Sequence, residues 1–433
     1  MPAEPRRLQS AASGFAREFA ALADEIRETA AEVDGVVAQI LADVRARGDA
    51  ALVELTHRFD RHPVTVETLR IGADEIGRAV ASCPAQQVAA LELAAQRIRA
   101  YHERQRPADA DWTDDAGVRL GWRWTAVVAA GLYVPGGTAS YPSSVLMNAI
   151  PAKVAGVDRL VMVVPTPDGQ LNPLVLAAAR IAGVDEIYRI GGAQAVAALA
   201  YGTATVARVD KIVGPGNAYV AAAKRQVFGT VGIDTIAGPS EILVVADGQN
   251  DPHWIAADLL SQAEHDTLAQ SVLITDDAAF ADAVVAAVDA TLAELPRRAI
   301  AAESWRRFGA VIVVSDLAEA PALVDRLAPE HVELAVGDPE ALARRIRHAG
   351  AIFLGRLTPE AVGDYLGGPN HVLPTARAAR FASGLGVGDF LKRTTLLGCD
   401  GPSLARLGPA VVTLAEAEGL DAHALSVRVR LHE

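Results

Sequence analysis

Cysteine is scarce in this chain: Cys83 and Cys399 are the only two in 433 residues, and they lie far apart. That excludes a disulfide framework and a Cys-rich zinc motif, and it favours a reducing compartment. Long hydrophobic runs are missing as well. No stretch is long enough to span a bilayer, and after Arg6 and Arg7 the residues Glu18, Asp24 and Glu25 prevent a signal-peptide core from forming. Positive charge is the third shortage. With 40 Lys and Arg against 53 Asp and Glu, the formal net charge is -13, which speaks against a sequence-independent grip on nucleic acid or on an anionic membrane. The G-x-G-x-x-G dinucleotide fingerprint is also absent. The expectation is a cytoplasmic protein that acts on a small molecule. Its length and 51% hydrophobic content allow two or three domains.

From Gly14 to about Arg106 apolar residues recur at three- and four-residue spacing, as in VDGVVAQILADVRARGDAALVELTHRF, which predicts amphipathic helices. Near Trp122 the character changes. Short β-rich runs follow at 127–134, 159–165, 186–190, 211–213, 241–246, 271–275 and 310–315, with helical stretches between them. Buried strands alternating with helices imply βαβ units and parallel sheets covered on both faces, and the number of runs suggests two such sheets. After His371 the pattern loosens into FASGLGVGDF. A helix-like segment around 413–425 and an alternating run, SVRVRL, close the chain. Such a tail packs on another body more readily than it folds alone.

Three polar segments stand out in this aliphatic setting: SQAEHD at 261–266, APEHVE at 328–333 and VGDYLGGPNHVLPT at 362–375. Such residues are costly to collect in a core unless they are paired, metal-bound or used in chemistry. Asp251 and Pro252 form an N-cap and first-turn pair that starts a helix at His253. On that helix Gln262 and His265, three apart, point to one side and can reach one ion, or they are simply a polar helix end. Glu330 and His331 put an acid beside a base at the start of the strand VELAV. Neighbours on a regular strand face opposite ways, so they converge only if the backbone is irregular there. Asp364, before a Gly-Gly-Pro turn, is either a hard metal ligand or a turn-former. Glu418 and His423 read as an exposed helix face. His57, His62, His102, His348 and His432 read as surface residues. Glycine-rich turns at strand ends, VPGGT at 134–138, GGAQ at 191–194 and GPGNAY at 214–219, permit close backbone approach to a nucleotide, though such turns also serve structure alone. The residues by themselves point to a metalloenzyme with α/β domains.

The chain resembles the histidinol dehydrogenase family from roughly Val33 to Arg430, through GLYVPGGTASYPSSVLMNAIPAKVAGV, GGAQAVAALAYGT, VDKIVGPGNAYVAAAKRQVFG, IDTIAGPSEILV, SQAEHD, APEHVEL and GDYLGGPNHVLPT. The resemblance implies two Rossmann-like parallel-sheet domains without the glycine fingerprint, flanked by a helical N-terminal segment and an extended C-terminal one. The expected division is 1–32, then a first domain from 33–132 and 240–378 with the metal and catalytic residues. A second domain at 133–239 carries the NAD contacts, and 379–433 is a dimerisation tail. It further implies zinc on Gln262, His265, Asp364 and His423, His331 as base and Glu330 as the acid that activates water. Substrate contacts fall on Ser240, Gln262, His265, His331, Asp364, Glu418 and His423, and NAD contacts on Tyr133, Gln194 and Asn217. The implied reaction takes L-histidinol to L-histidine with two NAD, in a homodimer whose tails complete the neighbouring sites. The first thirty or so residues and GCDGPSLARLG at 398–408 look individual to this chain.

Three rivals share parts of this pattern. A zinc and NAD dehydrogenase of another small alcohol, such as a sulfonated propanediol, would need an added cationic contact. A zinc hydrolase would release no NADH, and a non-catalytic NAD-binding module would leave the metal segments unexplained.

Overall fold

The computed structural model describes residues 4–25, 32–136, 141–236 and 238–431. The end of the VPGGT turn, Gly137 and Thr138, and His432 lie outside them. Strands β1 (Arg6–Gln9), β2 (Ala110–Thr113) and β3 (Arg119–Ala126) are followed by β4 (Ala129–Tyr133), β5 (Arg159–Val163), β6 (Glu186–Tyr188), β7 (Lys211–Val213) and β8 (Gly232–Ile233). Then come β9 (Glu241–Ala246), β10 (Gln270–Thr275), β11 (Ala310–Val313), β12 (His331–Ala335), β13 (Ala351–Leu354) and β14 (Leu391–Gly398).

One sheet has the order β6-β5-β4-β7-β8, with every neighbouring pair parallel. Its strands are apolar on both faces because both faces are covered. Ala129, Tyr133, Val161 and Val163 pack against helices Glu32–Arg47, Gly192–Tyr201 and Ala218–Val227, while Ala130, Leu132, Leu160 and Met162 pack against Pro142–Ala155 and Pro173–Ala182. At about 1.5–3 kcal/mol per fully buried large aliphatic side chain, this two-sided burial decides the fold. The second sheet, β1-β11-β10-β9-β12-β13, is also parallel throughout. From β4 in the first sheet and from β9 in the second, each an interior strand, the chain works outward on one side before crossing to the other. That order creates a switch point between β4 and β7 in the first sheet and between β9 and β12 in the second.

Several elements differ from what the sequence suggests. The segment expected to be helical at the N-terminus also contains β1, which joins the second sheet beside β11, about three hundred residues on. Strands β2, β3 and β14 form a small antiparallel sheet in which Leu391 pairs with Ala126 and Gly398 with Arg119. SVRVRL is not extended but helical, within Asp421–Leu431, and this helix packs on Gly401–Ala417. Asp400 caps the latter helix by accepting from Ser403 N–H at 2.9 Å. His102 is not at the surface: it is fully buried, its Nδ1 bonded to the Ile98 carbonyl. Among the described residues no helix is long and apolar enough to cross a membrane.

Candidate active site

The polar segments gather at the amino edge of the second sheet, where β9 and β12 run side by side. Ala328 adopts a left-handed backbone, φ 42, just before Pro329, so the chain enters β12 irregularly. After it, Glu330 and His331 both bear on the backbone of one residue, Glu241. Glu330 Oε2 accepts from the Glu241 N–H at 3.1 Å, and His331 Nδ1 meets the Glu241 carbonyl at 3.0 Å. A carbonyl can only accept, so Nδ1 carries a hydrogen, and in a neutral imidazole Nε2 presents its lone pair. Nε2 is buried, makes no hydrogen bond among the described residues, and lies 3.4 Å from Glu360 Oε1. Ser240 precedes β9 at the same edge and accepts from Gln270 N–H.

Helix Pro252–Ala263 begins as its residues dictate, with Asp251 accepting from His253 N–H at 2.9 Å. It runs back along the sheet and delivers Ser261 and Gln262 to the site. The Ser261 hydroxyl donates to Glu360 Oε2 at 3.2 Å. Gln262 is 1% exposed, and its Oε1 has no hydrogen-bond partner among the described residues. A buried carbonyl oxygen without a partner costs on the order of 1–3 kcal/mol, so its place suits a group that something else engages. His265 lies beyond the last helical turn, where desolvation of its imidazole lowers its pKa first, opposed by the charge of Asp364 and reinforced by that of His331.

Glu360 and Asp364 are one turn apart on helix Glu360–Tyr365 and share a face. With His331 they form a group whose ligand atoms all lie within 4.8 Å of one another. Nitrogen and carboxylate donors at this spacing suit a borderline divalent cation such as zinc. Glu360 has no place in the expected set, although its position four residues before Asp364, after a helix-starting Pro359, is a readable signal. His371 bonds Asp364's carbonyl through Nδ1 at 3.0 Å and Ser144 Oγ through Nε2 at 3.2 Å, which ties this edge to the first sheet's helix Pro142–Ala155. His423 and Glu418 are exposed on the C-terminal helices and join no such group. The set Gln262, His265, Asp364 and His423 therefore does not close within one chain.

Burial dominates the electrostatics. It pushes Glu330 up to about 8, opposed by His331, and Glu360 up to about 8, reinforced by Asp364. Beneath them Glu333 is pushed up to about 9 and Asp258 to about 6, first by burial, and in Glu333 next by the charge of Asp258. An acid raised to about 8 is well matched to proton transfer near neutral pH.

The turn residues collect at the carboxyl edge of the first sheet, at its switch point. Tyr133 ends β4, and its hydroxyl accepts from Gly192 N–H at 2.9 Å; burial pushes this phenol up to about 12. Gln194 is buried, with Oε1 unpartnered among the described residues. Asn217, past β7, caps helix Ala218–Val227 by accepting from Tyr219 and Val220 N–H groups. Strand ends, a helix N-terminus and glycine turns at a switch point are the usual setting for a nucleotide.

Two doubly wound parallel sheets, one gathering glycine turns at its carboxyl edge and the other a buried histidine and carboxylate cluster, define a two-sheet α/β protein of the Rossmann-like class. The chain belongs to the histidinol dehydrogenase family, whose profile matches residues 24–431. It is 70% identical over 427 residues to the histidinol dehydrogenase of Ruegeria pomeroyi, covering 99% of each chain, and 68% identical over 429 residues to that of Rhodospirillum rubrum, again covering 99% of each. The crystal structure of histidinol dehydrogenase from Elizabethkingia anophelis superimposes with a TM-score of 0.94 at 35% identity, covering 99% of this chain and 98% of that one.

Proposed function

We propose that this protein oxidises L-histidinol to L-histidine, with two NAD and one water, through an aldehyde that stays bound: the last two steps of histidine biosynthesis, carried out in the cytoplasm. The observation that carries the proposal is the double grip of Glu330 and His331 on the backbone of Glu241, which leaves Nε2 of His331 without a hydrogen bond among the described residues, beside a carboxyl raised to about 8.

In the first step His331 Nε2 takes the carbinol proton as hydride passes to the nicotinamide, giving aldehyde and one NADH. Neither cysteine supports a thiohemiacetal route. Cys83 is bonded to the Ala79 carbonyl at a helix end, and Cys399 is exposed beyond β14. Water is the remaining nucleophile. Glu330 removes a proton from it as the carbonyl carbon is attacked, and His331 returns the proton it took in the first step to the carbonyl oxygen to give the hydrate. His331 then accepts a proton from the hydrate while the second hydride leaves to a second NAD. The carboxylate product and a second NADH result. Gln262, His265 and Asp364 of one chain, with His423 from the partner's tail, would hold a zinc ion. When bound, that ion supplies Lewis acidity and an anchor for the substrate nitrogens. Ser240 and Glu418 would contact the substrate, and Tyr133, Gln194 and Asn217 the NAD. The unpartnered Oε1 atoms of Gln262 and Gln194 support these two placements.

The test is the NADH formed per L-histidinol consumed, measured with and without a chelator. Two NADH per substrate, lost on chelation and restored by zinc, is the expected result. One NADH would mean that the aldehyde escapes, and none would send the search to a sulfonated alcohol.

A further inference from the structure

Beside the switch point of the first sheet lies a buried ion pair to which no role has been given so far. Lys224 is on helix Ala218–Val227 and Asp234 just follows β8, and their side chains are 2% and 3% exposed. Such a pair is weak evidence for stability, because desolvating two ions offsets their attraction. Its contacts point elsewhere. Lys224 Nζ donates to the Gly214 carbonyl at 3.0 Å, Gly214 N–H donates to Asp234 Oδ2 at 2.7 Å, and Lys224 and Asp234 bond each other directly. One ion pair therefore holds both backbone polar groups of a single glycine.

Gly214 opens the GPGN turn that leads from β7 to Asn217. Its φ of 110 lies in the region that favours glycine, and a Cβ there would collide with the Tyr133 carbonyl oxygen. The glycine whose backbone the pair grips thus lies against the end of β4, three residues before Asn217. A turn with this much backbone freedom has other courses open to it, and the pair selects one.

We infer that Lys224 and Asp234 are positioning residues of the NAD site, acting through Gly214 to hold the turn in the course that sets Asn217 on the β7 side of the switch point. The inference rests on the assignment of Tyr133 and Asn217 to NAD. Lys224 and Asp234 touch no ligand; they remove an ordering cost that NAD binding would otherwise meet.

The experiment titrates NAD into the zinc-loaded protein by calorimetry and measures steady-state kinetics in parallel. Lys224→Met/Asp234→Leu removes both charges together, so no buried ion is left alone. The expected result is a rise of about tenfold in Kd and KM for NAD, with kcat and the KM for L-histidinol held within about twofold. Lys224→Met/Asp234→Asn keeps an acceptor for the Gly214 N–H and should recover part of that loss. Asn217→Ala reports on the assignment itself. If it weakens NAD binding while both double variants bind NAD normally, the positioning role is overturned and the site stands. If none of the variants alters NAD affinity, the assignment falls and the positioning role falls with it. Should the Leu variant not fold, the Asn variant decides, and a normal Kd there overturns the proposal.

Discussion

At His331 the two ring nitrogens have different neighbours, and that difference sets the chemistry. Nδ1 is committed to the Glu241 carbonyl, so only Nε2 can exchange a proton. Glu330 is held by the amide of the same residue, close to His331 Nδ1 at 3.8 Å, and is pushed up by burial to about 8 from an ordinary 4.5. Its basic form therefore grows as pH rises through about 8. Replacing Glu330 with Gln keeps the hydrogen-bond geometry and removes the base. Oxidation of the alcohol should be nearly unchanged, while oxidation of supplied aldehyde should slow by about a hundredfold or more and lose its rise through that pH range. Single-turnover NADH formation from each substrate checks this, and equal losses in both would refute the division of labour. At this scale much was legible. As strand neighbours Glu330 and His331 could converge only if the backbone were irregular there, and the structure has a left-handed residue at Ala328. Glu360 was not foreseen, because a Glu at the start of a short helix normally serves its dipole, and only the tertiary approach of β12 turns it toward His331.

Elements explain why the site is acidic and buried at once. Helix Pro252–Ala263 brings Asp258 against Glu333 of β12, and the Glu360 N–H donates to Glu333 Oε1, so that three carboxyl groups pack together below the reactive edge. Glu333 is pushed up to about 9 from an ordinary 4.5. A raised acid holds its proton in the folded protein when the unfolded chain has released it. Its stabilising effect is therefore complete below about 4.5 and declines as pH climbs toward about 9. Metal-free protein should melt at progressively lower temperature over that window, and Glu333→Gln should flatten the dependence; an unchanged slope in the variant would count against Glu333 as its source. The element pattern was readable wherever burial was two-sided, as in AAGLY and EILVVA, or where a cap was explicit, as at Asp251. It was unreadable where pairing is distant. The strand Arg6–Gln9 is strongly charged and finds its partner at Ala310–Val313, and Leu391–Gly398 pairs back to Arg119–Ala126. Strand alternation in SVRVRL was overridden by packing, since that stretch continues a helix that lies on Gly401–Ala417.

The C-terminal strand and helices carry several uncovered apolar side chains. Leu397 is 71% exposed on β14, and Leu414, Leu425 and Val429 are 64%, 56% and 51% exposed on the two helices after it. Apolar exposure repeated along one short segment fits a surface that a second protein body would cover. His423 and Glu418 lie in the same segment, while the cluster at His331, Glu360 and Asp364 is assembled without them. A second copy of the chain, related by a twofold axis, would cover the tail and receive both residues, as the proposed function requires. The consequence is a complementation experiment. His423→Ala spoils the site that its tail enters, and His331→Ala spoils the site in its own body. In a heterodimer of the two variants one site keeps His331 from the first chain and His423 from the second, so about half of the wild-type activity should return although each homodimer is inactive. Mixed dimers purified on two different tags provide the measurement. If verified heterodimers stay inactive, each site is built from a single chain, and the tail must reach its own body by a path different from the one seen here.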